Sequence, residues 1–166
     1  NEFISKVAEE TGLSEEYIEN NEQKRDALAS LNNGYYSGLN NSDELFIKES
    51  ELIKEVADKE SCVIVGRCAD FILSGRENVI NVFVYSDMED KINRATTYYG
   101  MDKSKAEKEI KRIDKLRANH YKYYTEKEWD NHSNYDICIN SDAFGVEKSA
   151  DLICELVESK LEMVKA

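Results

Sequence analysis

Two stretches of this sequence carry side chains whose types and spacing suit ligand binding. In the first, residues 66–70 read GRCAD, so that an arginine and a carboxylate follow closely after a glycine. In the second, residues 94–129, ten lysines and arginines outnumber six acidic residues, a net charge of +4 in a chain of net charge −12. Arginine suits phosphate because its planar fork donates two parallel hydrogen bonds and stays charged.

The run that precedes Gly66 predicts a buried strand. Residues 62–65 read CVIV, an apolar run without alternation that stops at the glycine. Such a run is typical of a strand covered on both faces, as in a parallel sheet. Ligands of open α/β sheets bind beyond the carboxyl ends of the strands, where Arg67 and Asp70 would lie. The alternative is that Arg67 only caps a loop or pairs with Asp70.

The basic segment predicts a helix that begins at a capping box, Ser104 with Glu107, and runs through Arg117. One face of this helix mixes isoleucines with charged side chains, which is not a clean core stripe. The members of that face are Ile110, Ile113, Asp114, Arg117 and Tyr121. Such a face can pack its apolar part on the body of the protein and direct a guanidinium into a cleft.

Asp114 is a candidate to orient the guanidinium of Arg117. The alternative for this helix is a solvated surface laced with charge pairs between successive turns, and the lysines fit that description. For Arg112 and Arg117 we favour a role in ligand binding. The tyrosines near the end of the segment, and Trp129, would suit base stacking, although packing between a lid and the body is the preferred interpretation.

The order of the elements predicts an α/β architecture. Strands are expected at 62–65, 79–85 and 137–139, and helices at 1–12, 14–31, 42–59, after 87 and at 146–163. Strands that alternate with helices favour parallel pairing with right-handed crossovers. Between the early helices and 42, the loop-like stretch 32–41 carries Tyr35 and Tyr36, either a flap over a ligand or surface residues.

Composition limits the functions to consider. With 166 residues the chain is expected to form a single domain, and its acidity argues against bulk nucleic-acid or anionic-membrane binding. No apolar run approaches the roughly 20 residues that span a bilayer, so we expect a cytoplasmic protein. Two histidines and four cysteines without a CxxC pair predict no metal site and reduced, mostly buried thiols.

Three motifs together resemble the cytidylate kinase-like family of nucleoside monophosphate kinases. They are GRCAD at 66–70, RIDKLRAN at 112–119 and NYDICINS at 134–141, and the resemblance runs from residue 1 to about 157. It implies a P-loop-kinase-like parallel sheet flanked by helices, with a helical lid. It also implies transfer of the γ-phosphate of ATP, with Mg²⁺, to a nucleoside monophosphate such as CMP.

The resemblance also implies roles for segments and residues. Residues 1–59 would be monophosphate-binding helices, 60–93 and 134–166 the core, and 94–129 the lid. Arg67 would contact the phosphate of the acceptor, with Asp70 near the base and Asp114 among the substrate-binding residues. The arginines that would gather around the transferring phosphoryl group are Arg94, Arg112 and Arg117. Chemistry of this kind consists mostly of positioning and charge neutralisation.

The sequence departs from the family pattern at two points. No glycine-rich phosphate loop occurs in these 166 residues, and the strand that carries it would lie between the strands predicted at 62–66 and 79–85. We therefore expect an incomplete copy of a longer protein, with little activity as it stands. In the family's G-R-D form the carboxylate directly follows the arginine, whereas here Cys68 holds that place, which affects base specificity.

Two other functions stay open. A catalytically inactive nucleotide-sensing or interaction module would retain the monophosphate site, Arg67 and Asp70, without binding ATP. RNA binding through 94–129 is weaker, since the charge of −16 on the rest of the chain opposes a polyanion. A homo-oligomer, in which a second chain supplies the missing strand pairing, is also compatible with the sequence.

Overall fold

The structure, a computed structural model, describes the backbone of residues 41–165 and the side chains of residues 43–163. The helices predicted at 1–12 and 14–31, and the flap candidates Tyr35 and Tyr36, lie outside the described residues. The described chain divides into two compact units, one made of 41–73 and 119–125 and the other of 74–118 and 126–165. The single α/β domain and its segment boundaries stay predictions.

The first unit is built on helix α1, Asn41–Lys59, which confirms the helix predicted at 42–59. Apolar side chains recur along one side of α1 at helical spacing, and this side is buried: Leu45 is 2%, Leu52 4% and Ile53 1% exposed. The short helix α2, Ala69–Ile72, packs against α1. The core of this unit therefore lies along α1.

Aromatic side chains join α1 to the end of helix α4, Lys103–Thr125. The rings of Phe46 and Tyr124 stack with centroids 3.8 Å apart, and His120 meets Tyr124 edge-on at 4.9 Å. The hydroxyl of Tyr124 lies 3.5 Å from Asp43 Oδ1. This tyrosine is thus used in packing within the first unit.

The strand predicted at 62–65 is wrong. These residues adopt no regular secondary structure, and the side chains of Val63 and Val65 are 93% and 86% exposed. A β-strand exists only through hydrogen bonds to a neighbouring strand, and no strand among residues 41–165 pairs with this segment. An apolar run identifies a segment that can form a strand, but the segment forms one only if a neighbouring strand is present to pair with it.

The second unit contains a parallel pair of strands, β1 (Val82–Tyr85) and β2 (Ile137–Asn140). Their register pairs Val82 with Ile137 and Tyr85 with Asn140. Both strands were predicted, but β1 is shorter than expected and not buried, since Val84 is 52% and Tyr85 43% exposed. In the described part of the chain the sheet has only these two strands, so neither strand is enclosed by neighbours.

Helices account for most of the second unit. Helix α3 covers Met88–Tyr99, a single 3₁₀ turn covers His132–Asn134, and α5 covers Ser141–Lys165 with a break at Gly145. The core between α3 and α4 consists of Ala95, Ala106 and Ile110, against which Met88, Ile92 and Met101 pack. A helix-rich α/β fold with parallel strands, as predicted, is confirmed.

The start of α4 differs from the predicted capping box. The helix begins at Lys103, and Asp102 Oδ1 accepts hydrogen bonds from the backbone N–H and the hydroxyl of Ser104, at 2.8 and 2.7 Å. Glu107 instead pairs with Lys111. An ionised carboxylate is the stronger cap because it also meets the positive end of the helix dipole. These hydrogen bonds from Ser104 lower the pKa of Asp102.

The cysteine prediction is only partly correct. All four cysteines are free thiols, but only Cys68 is buried, while the other three are exposed. Cys62 belongs to the unpaired segment, and the other two lie on solvent-facing positions of β2 and α5. Among the described residues, no helix is long and apolar enough to cross a membrane.

Candidate functional site

The turn that carries Arg67 has an uncommon backbone. Gly66, Arg67 and Cys68 have φ angles of 74°, 55° and 54°, all in the left-handed region. The turn closes with a hydrogen bond from the N–H of Ala69 to the carbonyl of Gly66, at 3.1 Å. This region costs about 1–2 kcal/mol for each residue with a side chain, and such strain concentrates at functional sites.

Arg67 is held by a carboxylate from α1. Its Nη1 donates to Glu49 Oε1 at 2.6 Å, and the two side chains are 16% and 3% exposed. The short distance and the shielding from water describe a strong charge-assisted hydrogen bond. The structure therefore gives Arg67, in the turn, a defined partner in Glu49 on helix α1.

Asp70 is likewise engaged within the first unit. The hydroxyl of Tyr121, on α4, donates to Asp70 Oδ2 at 2.5 Å, and Tyr121 is only 4% exposed. Between the two candidates lies Cys68, whose pKa is raised to about 12 by burial and by the negative charges of Asp70 and Glu49. Cys68 is therefore a neutral thiol at physiological pH.

In the second unit, Arg94 lies beside the first residues of α5. Its Nη2 donates to Ser141 Oγ at 3.1 Å and lies 3.4 Å from Asp142 Oδ1. Asp142 also accepts from the backbone N–H of Asp87, at 2.5 Å, and from the hydroxyl of Ser86, at 2.7 Å. Arg94 is thus placed where the chain leaves the carboxyl ends of both strands.

A carboxylate pair adjoins Arg94. Asp142 is the stronger acid: partial desolvation raises its pKa, but the hydrogen bonds that it accepts outweigh this and lower the pKa overall. The negative charge of Asp142 raises the pKa of Asp90. The pair therefore takes up its first proton on Asp90, while Asp142 stays ionised next to Arg94.

Asp114 is shared by two basic side chains. Lys91 Nζ donates to Asp114 Oδ2 at 2.7 Å, and Arg117 Nη1 lies 3.3 Å from Oδ1. The side chain of Arg117 is 61% exposed. Asp114 is thus in contact with the guanidinium that it was expected to orient, and Lys91 joins them from α3.

Arg112 occupies a different environment. It forms a bidentate ion pair with Glu109, with Nε to Oε2 at 3.0 Å and Nη2 to Oε1 at 2.6 Å, on the exposed side of α4. This is the charge-paired helix surface described above as the alternative for the basic segment. The role of Arg112 in the transfer stays a prediction.

Three partners of the candidate residues were not found from the sequence: Glu49 and Tyr121 in the first unit, and Lys91 in the second. Only Glu49 left a signal, because it falls between Leu45 and Leu52 on the apolar side of α1, where a charged residue is unexpected. The other two are ordinary polar or aromatic positions on helices, and only the tertiary structure shows what they contact.

Comparisons with known proteins extend this picture. A model of the cytidylate kinase-like family matches residues 1–143. A cytidylate kinase of Archaeoglobus fulgidus is 28% identical over 108 residues, which make up 64% of this chain and 59% of that protein. The crystal structure of an uncharacterized protein from Eubacterium ventriosum is 32% identical, with a TM-score of 0.63 over 72% of this chain and 75% of that one.

Fold and comparisons agree on a class of protein, the helix-rich α/β proteins with a parallel strand pair that is consistent with a kinase-like fold. The chain belongs to the cytidylate kinase-like family. It spans 59% of the length of the curated relative that it matches.

Proposed function

We propose that this chain belongs to an enzyme that transfers the γ-phosphate of ATP to a nucleoside monophosphate, with CMP as the first acceptor to test. A phosphate oxygen of CMP attacks the γ-phosphorus of ATP. The bond from that phosphorus to the bridging oxygen breaks, and the products are CDP and ADP. Membership of the family supports the reaction type. The hydrogen bond that fixes Arg67 on Glu49 supports the assignment of Arg67 to the acceptor site.

Arg67 is proposed to bind the phosphate of the acceptor. The observation that carries this assignment is the strained left-handed turn whose arginine is held by a nearly buried carboxylate. A guanidinium is suited to a phosphate monoester, and fixing it before the ligand arrives reduces the entropy lost on binding. Asp70, held by Tyr121, is assigned to the base or to orientation of the acceptor.

For the second unit, the proposal assigns Arg94, Arg112 and Arg117 to the charge of the transferring phosphoryl group, with Asp114 positioning Arg117. The contact between Asp114 and Arg117 supports the latter assignment. ATP enters as its Mg²⁺ complex. Residues 43–163 contain no group of three or more acidic, histidine or cysteine side chains placed to hold a metal ion, so no protein ligand is assigned to Mg²⁺.

The test is a kinase assay on the purified chain with ATP, Mg²⁺ and CMP, in which CDP is separated and counted, together with calorimetric binding of CMP. Arg67→Lys keeps the charge opposite Glu49 but removes the planar fork, and Arg67→Ala removes both. The matched control is Arg76→Lys, at an arginine that has no assigned role. Because a hydrogen bond to a charged group contributes roughly 1.5–3 kcal/mol, Arg67→Ala should weaken CMP binding by about 10- to 150-fold.

The outcomes separate the two functions. CDP formation that falls in the Arg67 variants but not in Arg76→Lys supports the kinase. CMP binding that depends on Arg67, without any CDP, would instead support the nucleotide-sensing module. A folded protein that neither binds nor phosphorylates CMP, UMP, AMP or GMP would refute the proposal.

A further inference from the structure

Glu49 is an unusual residue of the described chain. It is 2% exposed and is the only charged residue among the buried polar residues of the described part, the others being a threonine and two serines. It lies one turn after Leu45 and one turn before Leu52 on the apolar side of α1. A carboxylate at such a position loses its hydration and persists only if a cation and hydrogen bonds replace the water.

Glu49 forms an ion pair with Arg67, the arginine that is proposed to bind the phosphate of the acceptor. Nη1 of Arg67 donates to Oε1 of Glu49 at 2.6 Å. Replacing a buried ion pair with apolar side chains is often neutral or stabilising, so stability alone is a poor reason to place a glutamate here. The left-handed φ of Arg67 adds to the cost of this arrangement. An arginine that must be presented in one orientation accounts for both features.

We propose that Glu49 is a positioning residue, which fixes the guanidinium of Arg67 in the orientation that receives the phosphate monoester of the acceptor. This inference rests on the proposed function of Arg67. Glu49 acts through its charge, because the ion pair strengthens a hydrogen bond that a neutral amide would form more weakly. Glu49 does not itself contact the ligand, because a carboxylate next to the phosphate would repel it.

The experiment compares Glu49→Gln with Glu51→Gln. Glutamine keeps the size and an acceptor oxygen of Glu49 but loses the charge. Glu51 lies on the same helix and forms an exposed ion pair with Lys48 at 2.7 Å, so Glu51→Gln removes a charge of the same kind from solvent. For each variant, calorimetry gives the Kd for CMP, steady-state kinetics gives KM and kcat, and thermal unfolding gives Tm.

We expect Glu49→Gln to raise the Kd and KM for CMP about tenfold, with kcat changed less than twofold, and Glu51→Gln to change neither. A double-mutant cycle with Arg67→Ala should be non-additive: the double variant binds CMP as weakly as Arg67→Ala alone, because Glu49 then has no guanidinium to position. A purely structural role would lower Tm and leave Kd unchanged at temperatures at which the variant is folded.

Each possible result either supports or overturns the role of Glu49. Equal CMP affinity in Glu49→Gln and Glu51→Gln, or effects of Glu49→Gln and Arg67→Ala on the Kd that multiply, would overturn the inference while CMP binding by the wild type still supports the proposed function. If wild type and Glu51→Gln bind no nucleotide, the proposed function fails and the inference fails with it. If Glu49→Gln does not fold, Glu49→Asp withdraws the carboxylate from Nη1 of Arg67 and so breaks the charge-assisted hydrogen bond. The inference then predicts a raised Kd for CMP, and an unchanged Kd overturns it.

Discussion

The contact between Tyr121 and Asp70 gives a prediction that needs no ligand. Tyr121→Phe removes one hydroxyl and leaves the ring in place. Tyr121 is 4% exposed, and its hydroxyl donates to Asp70 Oδ2 at 2.5 Å, so the change deletes a charge-assisted hydrogen bond with little loss of packing. Hydrogen bonds to charged groups contribute roughly 1.5–3 kcal/mol. Asp70 is only half-buried and regains some hydration, so we expect about 1–2 kcal/mol of lost stability.

Urea unfolding followed by circular dichroism measures this loss, and thermal unfolding should show a fall in Tm of about 2–8 °C for a chain of this size. The matched control is Tyr123→Phe on the same helix, where an exposed hydroxyl lies 3.4 Å from Asp43 and the effect should stay within about 0.5 kcal/mol. Asp70→Asn combined with Tyr121→Phe should be non-additive. Equal stability of the two tyrosine variants would refute the assignment of Tyr121 as the residue that holds Asp70.

Three further predictions concern the cap, the core and the thiols. Asp102→Ala should lower Tm and speed amide exchange in the first turn of α4, and both effects should exceed those of Ser104→Ala. Because the pKa of Asp102 is lowered in the folded state, its contribution to stability is present above the ordinary aspartate pKa and declines as the pH falls through the folded pKa. Amide exchange measured from pH 6 to 3 would show this decline. Ile110→Ala should cost about 2–4 kcal/mol in urea unfolding, because Ile110 is 9% exposed and packs against Ala95; a loss below 1 kcal/mol would contradict this core. Iodoacetamide at pH 8 should add three labels to the native protein, seen by mass spectrometry, and a fourth, at Cys68, only after unfolding, because burial and a pKa of about 12 keep that thiol unreactive; rapid labelling of all four thiols would refute the burial.

The elements that were predicted correctly are those with local causes. Helix α1 follows from apolar residues at helical spacing, and β2 from a short apolar run after polar residues. The parallel pairing of β1 and β2 follows from the helices between them, because parallel strands need a crossover connection. The motifs that place the chain in its family are also contiguous stretches of sequence, so they could be recognised without a structure.

The site was predicted in part. Arg67, Asp70 and the pair of Asp114 with Arg117 were proposed from residue type and position, and the structure gives each of them a specific contact. The partners of Arg67 and Asp70 could not be predicted, because a contact between residues 18 or 51 positions apart depends on the tertiary packing. Spacing along the chain contains no information on that packing.

Local sequence was thus sufficient for the helices of the described residues, for the parallel strand pair and for the family, since each depends on neighbouring residues or on a contiguous motif. Only the tertiary structure decided that residues 62–65 pair with no strand in the part of the chain that the structure describes, because a strand requires hydrogen bonds from another segment. It also decided that Glu49 is buried. A carboxylate on a helix is expected at the surface. Its burial here is possible because Arg67, from a distant part of the sequence, forms an ion pair with it and offsets the lost hydration.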